Sequence, residues 1–159
     1  MVQAGGSINA RVGVEADLDK FTPLLQANCQ RMQYEWEKYK AAAEMILKTP
    51  EYGFFIVCET AEGEPAGLAY FTFEWSDWRD GAFFWMQGMQ VDTSKGSSAD
   101  ILAALKSGLD THKAALEYRC CGIRLCSPKA LHGEVEDAIS TFELQPSHYY
   151  IYHVDTPSQ

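Results

Sequence analysis

A carboxylate in the middle of the chain is the first candidate for chemistry. Glu74 ends an alternating segment, and the alternation puts it on the same strand face as Leu68, Tyr70 and Thr72. A carboxylate beside apolar and aromatic groups at the edge of a cleft could act as a general base. A solvated charge at a strand end, or an ion-pair partner for Arg79, would explain the same residue without a catalytic role.

The cysteine and histidine residues do not form a metal-binding pattern. Because the five cysteines are odd in number and irregularly spaced, we predict neither a disulfide framework nor a zinc site. Free thiols favour a reducing compartment, and we expect a cytoplasmic protein. Cys58 lies in an apolar run typical of a core strand, and His112 lies on the apolar face of a helix, where a hydrogen-bonded packing role is expected.

Composition and charge limit the class of protein. The 159 residues are 47% apolar and carry 13 basic against 22 acidic side chains, giving a net charge of −9. We expect one domain over residues 1–159, with residues 1–7 as a flexible tail. The negative charge repels phosphate backbones and anionic headgroups, so we predict no nucleic-acid or membrane partner. Small amines, peptides or other proteins suit such a surface better.

Hydrophobic periodicity predicts the order of the elements. The pattern indicates a mixed α/β domain with a mostly antiparallel sheet flanked by helices. The predicted order is a strand at 8–14, two helices or one bent helix in 16–48, strands at 53–59, 65–75 and 82–91, a helix along 102–116, a strand at 123–126, a helix along 135–142 and a final strand at 148–154.

An aromatic cluster occupies the predicted strands between Tyr70 and Trp85. Alternation would bury about half of these side chains and leave the others on the opposite surface. Exposed aromatic side chains in that number favour a homodimer contact, and an amine-binding pocket using cation–π contacts is the alternative.

The element order and three segments together resemble a known superfamily. The segments are FTFEWSDWRDGAFFWMQGMQV at 71–91, GIRLCS at 122–127 and SHYYIY at 147–152. Over about residues 9–154 the chain resembles the GNAT superfamily of acyl-CoA-dependent N-acetyltransferases. The resemblance implies transfer of an acetyl group from acetyl-CoA to a small amine or peptide amine, by direct attack on the thioester, with Glu74 or a water that it orients as base.

The fourth predicted strand carries the first implied site. Gly88 interrupts it, and an isolated glycine in a strand is typical of a bulge or a close backbone approach. The resemblance implies that amides near Gly88 polarise the thioester carbonyl, and that Met89 and Val91 line the arm of the coenzyme. A glycine opposite a bulky aromatic side chain is the alternative explanation.

The loop after this strand carries the second implied site. Family members have the motif R/Q-x-x-G-x-G/A in this loop. The resemblance aligns Gly96 with the first glycine of the motif. Lys95 then stands in for the basic residue at the first position, and Ser98 stands where the family has a second small residue. Backbone N–H groups at a helix start suit a pyrophosphate. The residues implied to hold it are Ser94, Lys95, Gly96, Ser97, Ser98 and Ala99. An ordinary helix cap and turn would use the same residue types.

The general acid is where the chain departs most clearly from the family. Family members often place a tyrosine in the last helix, four residues after an alanine, but here Ala138 is followed by Phe142, which has no proton to donate. The thiolate would then leave unassisted or be protonated through water, with Tyr149 or His148 as substitutes. These departures keep a rival open, a non-catalytic GNAT-fold binding protein that has lost coenzyme binding.

Overall fold

The computed structural model describes residues 7–127 and 135–147. A 3-10 turn at Glu15–Asp17 precedes the first of four α-helices, and five β-strands complete this part of the chain. The helices are α1 (Leu18–Arg31), α2 (Trp36–Lys48), α3 (Ser98–Ala115) and α4 (Glu136–Thr141). The strands are β1 (Asn9–Val12), β2 (Gly53–Glu59), β3 (Pro65–Ser76), β4 (Gly81–Val91) and β5 (Cys120–Leu125).

The five strands form one sheet in the order β1-β2-β3-β4-β5. The first three pairings are antiparallel, and β5 returns through α3 to pair with β4 in parallel. The predicted mixed α/β class with a mostly antiparallel sheet is confirmed. The strand predicted at 148–154 and the tail at 1–6 lie outside the described residues.

Helices cover both faces of the sheet because the strands are apolar on both sides. On one face, Phe55 and Leu68 pack with buried side chains of α1 and α2, including Leu25. On the other face, Ile56 and Phe84 pack with the buried face of α3 and with α4. The sheet is therefore the middle layer of the molecule, and anything that binds between its strands lies between the two helical layers.

The helical segment at 16–48 consists of two helices rather than one bent helix. Gln33 takes a positive φ of 57°, and the Tyr34 N–H donates to the Cys29 carbonyl at 3.0 Å. This backbone arrangement satisfies carbonyls at the end of α1 and turns the chain toward α2.

The aromatic cluster divides between the core and the surface, but not by strand face as alternation predicts. The neighbours Tyr70 and Phe71 are both buried because helices cover both faces of the sheet, and the exposed rings lie at the far end of β3 and in the turn after it. Phe71 and Phe84 are fully buried, whereas Trp75 and Trp78 are 59% and 91% exposed. Trp78 lies in the turn between β3 and β4. No helix of the described residues is long and apolar enough to cross a membrane.

Candidate functional site

A gap opens where β4 loses its neighbour on one side. On the β3 side, Tyr70 pairs with Gly88 and Phe71 pairs with Met86, so Gln87 is an extra residue that forms a β-bulge. On the other side, the pairing with β5 ends at Met86 and Leu125. In the part of the chain that the structure describes, β4 has no strand partner on this side beyond Met86. The bulge bends β4 at the same point.

The hydrogen bonds between β3 and β4 show which backbone groups of β4 face this gap. The Asp92 N–H donates to the Ala66 carbonyl of β3 at 2.8 Å. Successive residues of an antiparallel strand alternate in direction, so Gly88 also points its N–H toward β3, whereas Met89 and Val91 point theirs into the gap. The carbonyl of Met89 accepts a hydrogen bond from Arg31 at 2.8 Å rather than from a strand, which agrees with this assignment.

Gly88 is required by close packing on the α1 side of the sheet. A Cβ at this position would lie 2.3 Å from Tyr70 Cε1 and 2.7 Å from Asn28 Nδ2. Both explanations of the glycine therefore hold, since it adjoins a bulge and also lies against a bulky aromatic ring. Because its N–H points toward β3, the Met89 N–H is the amide nearest the bulge that faces the gap.

The gap is narrow. Its cavity volume is about 30 Å³, which leaves room for no more than a few waters. Side chains of α1 and α4 close it from the two faces of the sheet. Its described lining includes Asn28, Arg31, Gly88, Met89, Leu125 and Ala138. A ligand of larger volume would have to widen the gap between β4 and β5.

The loop between β4 and α3 combines a turn with a helix cap. The Asp92 carboxylate accepts hydrogen bonds from the N–H and hydroxyl of Ser94 at 3.0 and 2.7 Å. The Ser97 hydroxyl accepts a hydrogen bond from the Asp100 N–H at 3.1 Å. The same hydroxyl donates a hydrogen bond to the Asp100 carboxylate at 2.6 Å. Lys95 is held by Glu64, 2.7 Å away. The cap and turn that formed the alternative explanation are thus present.

Four successive amides in this loop remain available to a ligand. Among the described residues, no group accepts a hydrogen bond from the N–H of Gly96, Ser97, Ser98 or Ala99. Such donors at a helix start suit an anion. Gly96 is not required for space, because a Cβ would meet Ile8 at an ordinary 3.4 Å. The donors fit a diphosphate, although Asp92 and Asp100 place negative charge beside them.

Comparison with known proteins identifies the fold. No protein-family model and no curated protein matches the sequence. Solved structures match over almost the whole chain. A possible acetyltransferase from Clostridium difficile 630 has a TM-score of 0.78 at 19% identity, covering 95% of this chain and 99% of that one. A GNAT family acetyltransferase from Staphylococcus aureus has a TM-score of 0.59 at 13% identity, with 96% and 98% covered. This chain has the GNAT fold.

A further GNAT-fold neighbour was solved with the coenzyme. Aminoglycoside N-acetyltransferase AAC(6')-Iy in complex with CoA has a TM-score of 0.67 at 15% identity, covering 98% of this chain and 99% of that one. At such identities the likeness shows the fold and not the substrate. The fold expected from the sequence is therefore confirmed, while the residues that act in this chain must be argued from its own geometry.

Glu74 lies on the expected face but is not brought to the bulge. It is four residues from Tyr70 along β3, which is about 13 Å in an extended strand. Its carboxylate accepts hydrogen bonds from Arg124 Nη1 at 2.9 and 3.0 Å and from the Trp85 indole. The side chain is 46% exposed, so it lies at the rim of the sheet face. The ion-pair partner suggested by the sequence, Arg79, is replaced by Arg124.

A buried polar network beside the gap was not found from the sequence. Arg31 Nη2 donates to Asn28 Oδ1 at 2.6 Å as well as to Met89, and Asn28 Nδ2 donates to the Tyr39 hydroxyl at 2.6 Å. The Tyr39 ring meets the Tyr70 ring edge to face at 6.1 Å. Burial raises the pKa of both phenols, so both are neutral at neutral pH. The spacing of Asn28 and Arg31 does place them on one helix face, which is the only sequence signal for the network.

Other residues singled out in the sequence have structural roles. Cys58 is fully buried, and burial raises the pKa of its thiol to about 12. His112 packs against the Phe54 ring at 4.3 Å, which agrees with the expected packing role, although no described residue forms a hydrogen bond with its imidazole. Phe142 is buried beside α3 and α4. No cluster of metal-ligating side chains occurs in residues 7–127 and 135–147.

A larger cavity lies at the opposite end of the sheet. It measures about 500 Å³ and is lined by apolar and aromatic side chains where β2 and β4 begin, including Phe54, Phe73, His112 and Tyr118. It shares no residue with the gap between β4 and β5. The candidate site is therefore defined by backbone geometry and not by cavity size.

Proposed function

We propose that the protein transfers an acetyl group from acetyl-CoA to the amine of a small molecule or peptide. The observation that carries the proposal is that β4 continues past its last pair with β5, beside a bulge, so that the N–H groups of Met89 and Val91 are directed away from β3. A thioester arm with amide groups could pair with such a strand edge. Coenzyme A supplies the activated acetyl group when it is bound.

Each part of the coenzyme has a matching set of protein groups. The amides of Gly96, Ser97, Ser98 and Ala99 would hold the diphosphate, with Ser94 and Lys95 at its edge. Lys95 would have to exchange its ion pair with Glu64 for a phosphate contact. The Met89 N–H would polarise the thioester carbonyl. The resemblance implies this role for the amides near Gly88, and the Gly88 N–H itself points toward β3.

The acceptor amine would approach from the α1 and α2 side of β4. In direct transfer a neutral amine attacks the thioester carbon and loses a proton. Glu74 is too distant to take this proton from an amine at the bulge, so it would act through water at the rim of the same face. The net charge of −9 favours a cationic acceptor, because it raises the local concentration of cations.

Replacing an outward amide tests the proposal with a matched control. Met89→Pro removes the N–H that faces the gap and leaves the ladder bonds of β4 with β3 intact, whereas Met89→Ala shortens the side chain and keeps the N–H. We expect acetyl-CoA to stabilise the wild type and the alanine variant, by about 2.7 kcal/mol at 100 times the dissociation constant, and the proline variant much less. Thermal-shift titration measures this.

Acetylation of a panel of amines, followed by thiol release, then tests the reaction itself. Binding without thiol release for any amine would contradict the proposed activity. The narrow gap favours one other candidate, a GNAT-fold binding protein that does not use the coenzyme. Absence of any thermal shift at millimolar acetyl-CoA would support that candidate and rule out the enzyme.

A further inference from the structure

A single cationic group enters the gap between β4 and β5. Arg31 is the last residue of α1, and its Nη2 donates to the Met89 carbonyl at 2.8 Å and to Asn28 Oδ1 at 2.6 Å. Among the described side chains that line the gap, it is the only one with a formal charge. The guanidinium therefore lies beside the same residue whose N–H faces the gap.

The surrounding network fixes the position of this charge. Asn28 is fully buried, and its amide links the guanidinium to the Tyr39 hydroxyl, 2.6 Å from Asn28 Nδ2. Connected hydrogen bonds in a buried setting restrict the rotation of every member. Gly88 allows Asn28 to lie against β4, since any side chain there would displace it. The helix, the network and the bulge together direct Arg31 to one place.

The gap offers little help to a leaving anion apart from this group. Its described lining contains no tyrosine, histidine, lysine or carboxylic acid. Phe142, one helical turn beyond the lining residue Ala138, is apolar and buried. The lining does include the Cys126 thiol, but a proton passed from one thiol to another only moves the negative charge to a second sulfur at the same gap. Stabilisation by a fixed positive charge is therefore the means that Arg31 offers.

We propose that Arg31 stabilises the departing thiolate of coenzyme A by its charge, without giving it a proton. The inference rests on the proposed acetyl transfer. In that step the amine nitrogen bonds to the acetyl carbon, the carbon–sulfur bond breaks, its electron pair stays on sulfur and the amine proton passes to water. An arginine guanidinium does not give up a proton in proteins, so Arg31 would supply charge and no proton.

The test measures the ionisation of bound coenzyme A and does not need turnover. Coenzyme A carrying its free thiol is bound to the protein, and the ultraviolet absorbance of the thiolate is followed as pH rises. A cation within about 4–6 Å lowers the pKa of an acid by about one pH unit or more. We expect the thiol pKa to be about one pH unit lower on the wild type than on Arg31→Gln.

Three further variants separate charge from structure. Arg31→Met keeps the length of the stem and provides a second neutral variant in case Arg31→Gln does not fold. Arg31→Lys keeps the charge, so its thiol pKa should stay close to that of the wild type. Arg79→Gln removes an arginine from the turn between β3 and β4 and should leave the thiol pKa unchanged. In the two neutral variants kcat should fall about tenfold with little change in KM for acetyl-CoA.

The outcomes distinguish this inference from the function on which it rests. If the wild type binds coenzyme A and acetylates amines but the neutral variants show the same thiol pKa, the role of Arg31 is overturned and the function stands. If Arg31→Gln binds coenzyme A more tightly with an unchanged thiol pKa, Arg31 only obstructs the gap, and the inference is again overturned. If the wild type does not bind coenzyme A, both fail.

Discussion

Asn28 and Gly88 lie against each other where α1 meets β4. A Cβ on Gly88 would come within 2.7 Å of Asn28 Nδ2 and within 2.3 Å of Tyr70 Cε1. Neither neighbour can move easily, because Asn28 is tied to Arg31 and Tyr39, and the Tyr70 ring stacks on Phe55 at 5.0 Å. The absence of a side chain at position 88 therefore allows helix and strand to approach.

Gly88→Ala should destabilise the protein by about 1–3 kcal/mol, because the added methyl group overpacks a rigid contact. Gly96→Ala is the matched control, since its Cβ would meet Ile8 at 3.4 Å and should change stability by less than about 0.5 kcal/mol. Urea unfolding measures both. Equal midpoints for the two variants would contradict the packing argument.

Glu74→Gln should change the free energy of unfolding by less than about 1 kcal/mol, because the ion pair with Arg124 is partly solvated. Under the proposed function it should slow acetylation of a cationic amine and leave acetyl-CoA binding unchanged. Glu44→Gln on α2 is the control, since Glu44 pairs only loosely with Lys40 at 3.9 Å. A loss of acetyl-CoA binding in Glu74→Gln would place Glu74 in the coenzyme site instead.

Asp17 should contribute stability that disappears in acid. The Arg11 guanidinium binds both of its oxygens, at 2.6 and 2.7 Å, and holds the pKa of this carboxyl below its usual value. Because the pKa of Asp17 is lower in the folded than in the unfolded chain, its ionised form adds to the free energy of unfolding. This contribution is complete above the unfolded-state pKa of about 3.9 and is lost as pH falls through the folded-state pKa. Asp17→Asn should therefore cost about 1 kcal/mol at neutral pH and much less at pH of about 2. Urea unfolding at several pH values checks this, and a pH-independent difference would contradict it.

His112 should destabilise the protein as it gains a proton. Burial lowers the pKa of its imidazole below the ordinary 6.5, so the unfolded chain takes up the proton first. Stability from the neutral ring is complete above the unfolded-state pKa and declines as pH falls below it. His112→Phe keeps a ring beside Phe54 but has no group that takes up a proton. Its stability should therefore fall less steeply than that of the wild type as pH drops from about 7 to 5. Parallel thermal unfolding curves for the two proteins over that range would refute the prediction.

The fold and the bulge were predictable from the sequence because both follow from local patterns. Alternation and helical periodicity predicted the order of the described elements, and the glycine within a strand indicated a bulge, which lies beside it at Gln87. The partner of Glu74 was not predictable, since Arg124 lies 50 residues away and reaches it only because β5 pairs in parallel with β4. Arg31 was missed for a related reason. Helical spacing puts it beside Asn28, but nothing local tells which strand that face of α1 meets.

One extra residue in β4 has a consequence for how this protein can change over evolutionary time. Because Gln87 is the extra residue of the bulge, the bend of β4 depends on the number of residues in the strand and not on their identities. Substitutions can replace almost any side chain here and leave the bulge in place, but deleting Gln87 would restore a regular ladder with β3 and straighten β4, with the Met89 N–H still directed away from β3. This is consistent with a fold shared at 19% identity or less.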